Sequence, residues 1–185
     1  MSTSVKDNTR KRDHSMAYYR TIYPSPVGRL HIISSGENVV GLWMDTNFPD
    51  EILCYPNIQP NDVFEPIIHW LDQYFQGTPC GIDSLPIQLD GTAFQLEVWE
   101  ILKAIPFGQT MSYGEIADLI AARRGIRKMS AQAVGQAVGA NPISIVIPCH
   151  RVIGKNGTLT GYGGGLEIKN KLLQHEKEIS KPKRL

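Results

Sequence analysis

The chain has 185 residues, a net charge of +1 and 42% hydrophobic residues. That is enough apolar material for a packed core and excludes a wholly disordered chain. No apolar run approaches the roughly 18 residues that span a bilayer, and the charged stretch Lys6–His14 has no apolar segment behind it as a secretory signal would, so a cytoplasmic protein without a membrane contact is expected.

Three cysteines, Cys54, Cys80 and Cys149, are odd in number and widely spaced, which does not fit a disulfide framework, and no CxxC pair points to zinc. No metal site is expected. Charge is unevenly distributed: residues 1–84 carry 6 Lys and Arg against 10 Asp and Glu, residues 85–185 carry 13 against 8. A polyanion, if one is bound, should meet the second half.

Residues 1–16 are polar and charged and read as a disordered arm. Tyr18–Tyr23, Leu30–Ser34 and Val39–Met44 are rich in β-branched and aromatic residues. Breaks at Pro24–Gly28 and Ser35–Asn38 separate them, which predicts an antiparallel meander. Phe64, Ile67, Ile68, Leu71, Tyr74 and Phe75 then recur at helical spacing, with Gly77 placed to end the helix. The first half is therefore a small α+β domain, and it carries no evident catalytic constellation.

Pro79–Thr92, with two prolines and two glycines, reads as the connector. The second half is mainly helical. Phe94, Val98, Trp99, Leu102 and Ile105 mark one amphipathic helix that Pro106-Phe107-Gly108 ends. Ser112 can cap the next, with Glu115 at the capping-box position, and Ser130 a third through about Val138. Ile143–Ile147 is expected to be a short apolar strand ending at Pro148, and Leu166, Ile168, Leu172 and Leu173 predict a final helix. The expected domains are thus 17–84 and 93–179, with a linker at 85–92 and a tail at 180–185.

Two constellations carry chemistry. Ser112–Ile120 and Ser130–Val138 flank a basic turn in the form of a helix-turn-helix. Arg123, Arg124, Arg127 and Lys128 lie where phosphates would pass. Gln132, Ala133, Gln136 and Ala137 give the second helix short side chains that allow close approach to a groove. The second constellation is Ile143-Ser144-Ile145-Val146-Ile147-Pro148-Cys149-His150-Arg151-Val152. A cysteine followed by His and Arg between apolar runs is unusual for a core thiol. A nucleophilic thiol needs a nearby base or positive field to become a thiolate.

Ile147-Pro148-Cys149-His150-Arg151-Val152-Ile153-Gly154 resembles the active-site signature of the methylated-DNA–protein-cysteine methyltransferases, the O6-alkylguanine-DNA alkyltransferases. The likeness extends in family order through Phe94–Thr110, Ser112-Tyr113, Ala133-Val134-Gly135, Asn141-Pro142, Gly161–Leu166, Lys169 and Leu172–Glu176. Over residues 17–84 it is looser, carried by Ser25-Pro26-Val27-Gly28 and Leu71–Gly77.

The resemblance implies an α+β protein: a ribonuclease-H-like N-terminal domain, then a winged-helix-like DNA-binding catalytic domain. It implies direct-reversal repair, in which an alkyl group on O6 of guanine, and possibly O4 of thymine, passes irreversibly to Cys149 after base flipping. No cofactor is implied, and the partner is double-stranded DNA bound by a monomer. His150 would be a water-linked base, Glu176 its orienting carboxylate, Asn141 a hinge, and Tyr113 a donor to the guanine ring. His150 and Glu176 would then depress the thiol pKa. Tyr162, Gly163, Gly164, Lys169, Ile147 and Val152 would surround the base. Tyr113, Gly114, Ser130, Gln132, Ala133, Gln136, Arg151 and Lys155 would meet DNA with the basic turn.

One departure stands out. Many relatives carry an arginine in the recognition helix that fills the gap left by the flipped base, and the matching residue here is Gln132. Two other readings of the residues stand beside repair. One is a noncatalytic winged-helix binder or alkyl-lesion sensor. The other is a Cys-His hydrolase, for which no oxyanion site is evident.

Overall fold

The computed structural model describes residues 17–78 and 80–180. The arm expected at 1–16 and, apart from Ser180, the expected tail lie outside them. Strands β1 (Tyr19–Ser25), β2 (Gly28–Ser34) and β3 (Val39–Met44) form an antiparallel sheet in that order. Pro26 and Val27 make the two-residue connection between Ser25 and Gly28. Gly28 stands at φ 115°, a conformation that favours glycine. Helix α1 (Glu65–Gln76) buries Ile67, Trp70, Leu71 and Tyr74 against the sheet residues Leu30, Ile32 and Leu42 within one core cluster. Gly77 ends it in the left-handed conformation at φ 82°.

The connector does more than span a gap. Val39 N–H donates to Pro86 O at 2.7 Å and Gln88 N–H to Val39 O at 2.9 Å, so residues 86–88 run along the outer edge of β3. Further along the same strand, Leu42 N–H donates to Pro142 O at 2.8 Å and Leu42 O accepts from Ser144 N–H at 3.0 Å. Strand β3 is thus a seam to which both the connector and the segment before Cys149 are hydrogen-bonded.

The second half contains α2 (Ala93–Lys103), the short strand β4 (Met111–Ser112), α3 (Tyr113–Arg124), α4 (Ala131–Gly139), the short strand β5 (Val152–Ile153) and α5 (Leu166–Ile179). Strands β4 and β5 pair in parallel. Ser112 and Glu115 form the expected capping box on α3, and Ser130 caps α4 through Ala133 N–H. Thr92 and Gln95 form a second capping box on α2. Trp99 Nε1 donates to Ala137 O at 2.8 Å and pins α4 to α2. The two halves therefore form an α+β fold, a small sheet with a helix followed by a helical domain, over one continuous core.

One expected element is not there. Ile143–Ile147 is not a strand: Ile143 bridges Leu42, and the chain then curls so that Ser144 bridges Ile147. Ile145 sits at the turn with φ 69°, the left-handed region that a β-branched residue rarely enters. The reason is burial on all sides. Ile143, Ile145, Val146 and Ile147 are each at most 2% exposed, and a straight strand would turn alternate residues to opposite faces. Curling lets every one reach the core, at a backbone cost of about 1–3 kcal/mol.

Removing the α2 cap with Thr92→Ala should lower unfolding stability by about 1 kcal/mol, read as a shift of the denaturation midpoint at constant slope.

Candidate functional site

Pro148 leads into a single 3-10 turn, Cys149–Arg151, which packs against α5. The turn separates three neighbouring side chains in space, as a bend and not an extended strand. Cys149 is 7% exposed and opens into a cavity of about 300 Å³. Asn141 clamps the segment at both ends. Its Oδ1 accepts from Ile143 N–H at 3.1 Å, and its Nδ2 donates to Ile147 O at 2.8 Å and to Cys149 Sγ at 3.1 Å.

His150 is fully buried, with Nε2 2.6 Å from Glu176 Oε1. That bond fixes the imidazole proton on Nε2 and leaves the Nδ1 lone pair free; Nδ1 is buried and meets no protein hydrogen-bond partner. Glu176, on α5 and also fully buried, accepts from three further residues. Tyr74 OH donates to Oε1 at 2.7 Å, Gly108 N–H to Oε2 at 2.9 Å, and Arg151 through Nε at 2.9 Å and Nη2 at 3.0 Å. Arg151 Nη1 also donates to Ile105 O at 2.6 Å.

These contacts set the protonation states. Burial would raise the Glu176 pKa, but the hydrogen bond from His150 and the hydrogen bonds and charge of Arg151 reverse this and hold it at about 2. Burial lowers the His150 pKa, against the pull of Glu176, so the imidazole is neutral near pH 7. Burial pushes the Cys149 thiol up, more than the Asn141 hydrogen bond and the Lys169 charge pull it down. The expectation of a depressed thiol is therefore corrected: desolvation of the anion outweighs the nearby donors, and the resting group is a protonated thiol, followed in sequence by a neutral imidazole.

Of the residues expected around the base, Tyr162 and Gly163 line the cavity, together with Tyr113, Asn141 and Ser144. Gly164 lies behind, against Met44. Lys169 is buried, donates to Thr160 O at 2.7 Å and Gly161 O at 3.3 Å, and has its pKa lowered by burial to about 8. It holds the Thr160–Gly165 loop from beneath. Ile147 and Val152 are corrected: both are fully buried core residues, and neither lines the cavity.

On the expected DNA face, Ser130, Gln132, Gln136, Arg123, Arg127, Lys128 and Lys155 are exposed and Gly114, Ala133 and Tyr113 are half-buried. Arg124 is tied back to α2 by an ion pair with Glu97 and lies over the Phe94 ring. Arg151 is corrected outright: the 3-10 turn points it inward to Glu176, so it faces no ligand surface.

Sequence reasoning missed Tyr74, Ser144, Trp43 and Asn47. Tyr74 stood only as an apolar helix position, although a buried tyrosine hydroxyl needs a partner. Trp43 and Asn47 also line the cavity and come from the first domain.

The chain matches two family models: "6-O-methylguanine DNA methyltransferase, ribonuclease-like domain" over residues 18–89, and the corresponding DNA binding domain over residues 93–178. It is 43% identical over 164 residues to the methylated-DNA–protein-cysteine methyltransferase of Haemophilus influenzae, covering 87% of each chain. It is 44% identical to that of Mycobacterium tuberculosis, covering 88% of this chain and 93% of that one. The crystal structure of Mycobacterium tuberculosis OGT in complex with DNA superposes with a TM-score of 0.76 at 40% identity, covering 87% and 94% of the two chains.

With a Glu176 pKa near 2 in the fold and about 4.3 when unfolded, the unfolded chain binds the extra proton between those values. Stability should then be fully present above pH 4.5 and fall on acidification towards pH 2, by on the order of 3 kcal/mol from this group. Glu176→Gln should remove that part of the acid limb in denaturation measured against pH.

Proposed function

The chain belongs to the 6-O-methylguanine DNA methyltransferase family, and from that premise we propose how its own residues carry out repair of alkylated DNA. The observation that carries the reading is the buried line Glu176–His150 ending in a free imidazole nitrogen, beside a thiol at the floor of a cavity.

Alkyl transfer from O6 of guanine is a displacement at carbon. The thiol proton leaves to His150 Nδ1, through a water as bridge. The sulfur then attacks the alkyl carbon, forming a C–S bond as the C–O6 bond breaks. The electron pair departs on guanine, which takes up a proton or hydrogen bond as it leaves. Glu176 steadies the imidazolium as it forms. Tyr113, half-buried at the cavity and donating to Thr160 O at 3.3 Å, is the group we assign to the guanine ring. Asn141 positions the sulfur. The thioether product is stable to water, so each chain acts once.

Because the target atom lies on the pairing edge, the nucleotide must leave the duplex. We assign α4, with Gln132, Ala133 and Gln136, to the groove, and Arg123, Arg127, Lys128 and Lys155 to phosphates. We place the domain boundary in 85–92. No helix among the described residues is long and apolar enough to cross a membrane. A cytoplasmic site of action is inferred from the DNA substrate.

Intact mass after incubation with O6-methylguanine DNA tests the reading. Gain of one methyl on Cys149, lost in Cys149→Ala with DNA binding kept, is the expected result. A binder without chemistry gains nothing, and a hydrolase turns over repeatedly. Glu176→Gln should slow transfer by about a hundredfold or more while DNA affinity changes little.

Gln132 gives a separate test. If it fills the vacated base position, Gln132→Gly should slow repair of duplex DNA and hardly affect a free O6-alkylguanine base. Gln132→Arg should speed duplex repair and steepen its dependence on salt. Equal losses on both substrates for Gln132→Gly would assign it to the fold instead.

A further inference from the structure

We infer that Trp43 and Asn47, two residues of the N-terminal domain, form a rigid wall of the alkyl pocket and decide which adducts reach Cys149. This deepens the repair reading and rests on it. Both side chains line the same cavity as Cys149, Tyr113 and Tyr162, yet they leave the chain at the end of β3, about a hundred residues earlier.

The wall is built against the loop that carries Tyr162. A Cβ placed on Gly163 would stand 2.2 Å from Asn47 Nδ2, so the amide rests directly on that glycine. A Cβ on Gly164 would stand 3.0 Å from Met44 Cγ. Thr46 Oγ1 donates to Gly164 O at 3.2 Å, and Tyr162 OH approaches Met44 Sδ at 3.9 Å. Those two glycines are what allow the turn after β3 to close on the loop.

The turn is also fixed from its own side. The Trp43 indole lies flat on Gly41, where a Cβ would stand 2.0 Å from the ring. Asp45 accepts from Arg29 Nη2 and pairs with His31 Nε2, each at 2.7 Å. The His31 ring in turn packs on Phe48 at 4.3 Å between centroids. A wall braced on both faces gives way to a larger ligand only at a cost. Size selection in such a site is worth about 10–200-fold per misfitted group.

The experiment compares single-turnover transfer from duplex DNA carrying O6-methylguanine or O6-benzylguanine, read as alkylated protein by intact mass. Asn47→Ala and Trp43→Ala should each raise the benzyl-to-methyl rate ratio about tenfold or more. Asn47→Leu, which keeps the branched bulk and drops the amide, should leave that ratio near the wild-type value. Circular dichroism and thermal melting confirm that each variant is folded; Asn47 is exposed, so its variants guard against loss of fold at Trp43. A ratio unmoved in folded Asn47→Ala, or both rates changed by the same factor, overturns the wall while leaving the repair reading intact. Absence of methyl transfer in the unsubstituted protein overturns both.

Discussion

The site depends on one buried carboxylate. Glu176 has no exposed surface and is held ionised by His150, Tyr74, Arg151 and the Gly108 N–H. Its partners come from α1, from the turn after α2, and from the 3-10 turn that contains Cys149. A buried charge persists only where hydrogen bonds replace water around it. Glu176 therefore requires all three segments to be in place at once. The same bonds that keep the anion in the core also set the imidazole tautomer and draw Arg151 away from the surface.

The thiol follows an opposite logic. Cys149 sits where its anion is disfavoured, next in sequence to a neutral imidazole and with Asn141 Nδ2 among the donors to its sulfur. The thiolate is the form that reacts with oxidants and adventitious electrophiles. A thiol held protonated in the free protein is shielded from such reactions, which matters for a residue that can be used only once. The free protein therefore stores little thiolate, and in the proposed mechanism the proton leaves the sulfur only as transfer begins.

Much of this was legible because its signals are local. Ser112 with Glu115, Ser130, and Gly77 mark helix ends through bonds to residues three or four positions away, and the helices begin and end there. Cys149, His150, Asn141 and Glu176 were found by their motif, and they do converge. What escaped is long-range. Ile143–Ile147 has strand composition, but its burial on every side makes it curl, and nothing in five residues tells how many faces will be covered. Arg151 resembles a phosphate ligand until a carboxylate 25 positions later claims it. Tyr74 and Asn47 owe their roles wholly to contacts with the other domain, which neither neighbour in sequence reveals.

Strand β3 has a consequence of its own. Its outer edge is occupied at Val39 by the connector and at Leu42 by residues 142–144. Severed from the rest of the chain, the first domain would present those amides and carbonyls unpaired, along a strand whose side chains are mostly apolar. Bare edges of that kind recruit other strands and lead to aggregation. The two halves are therefore poor candidates for exchange as separate building blocks. A chain that kept only the first half would need a substitute for the peptide groups that now cover that strand.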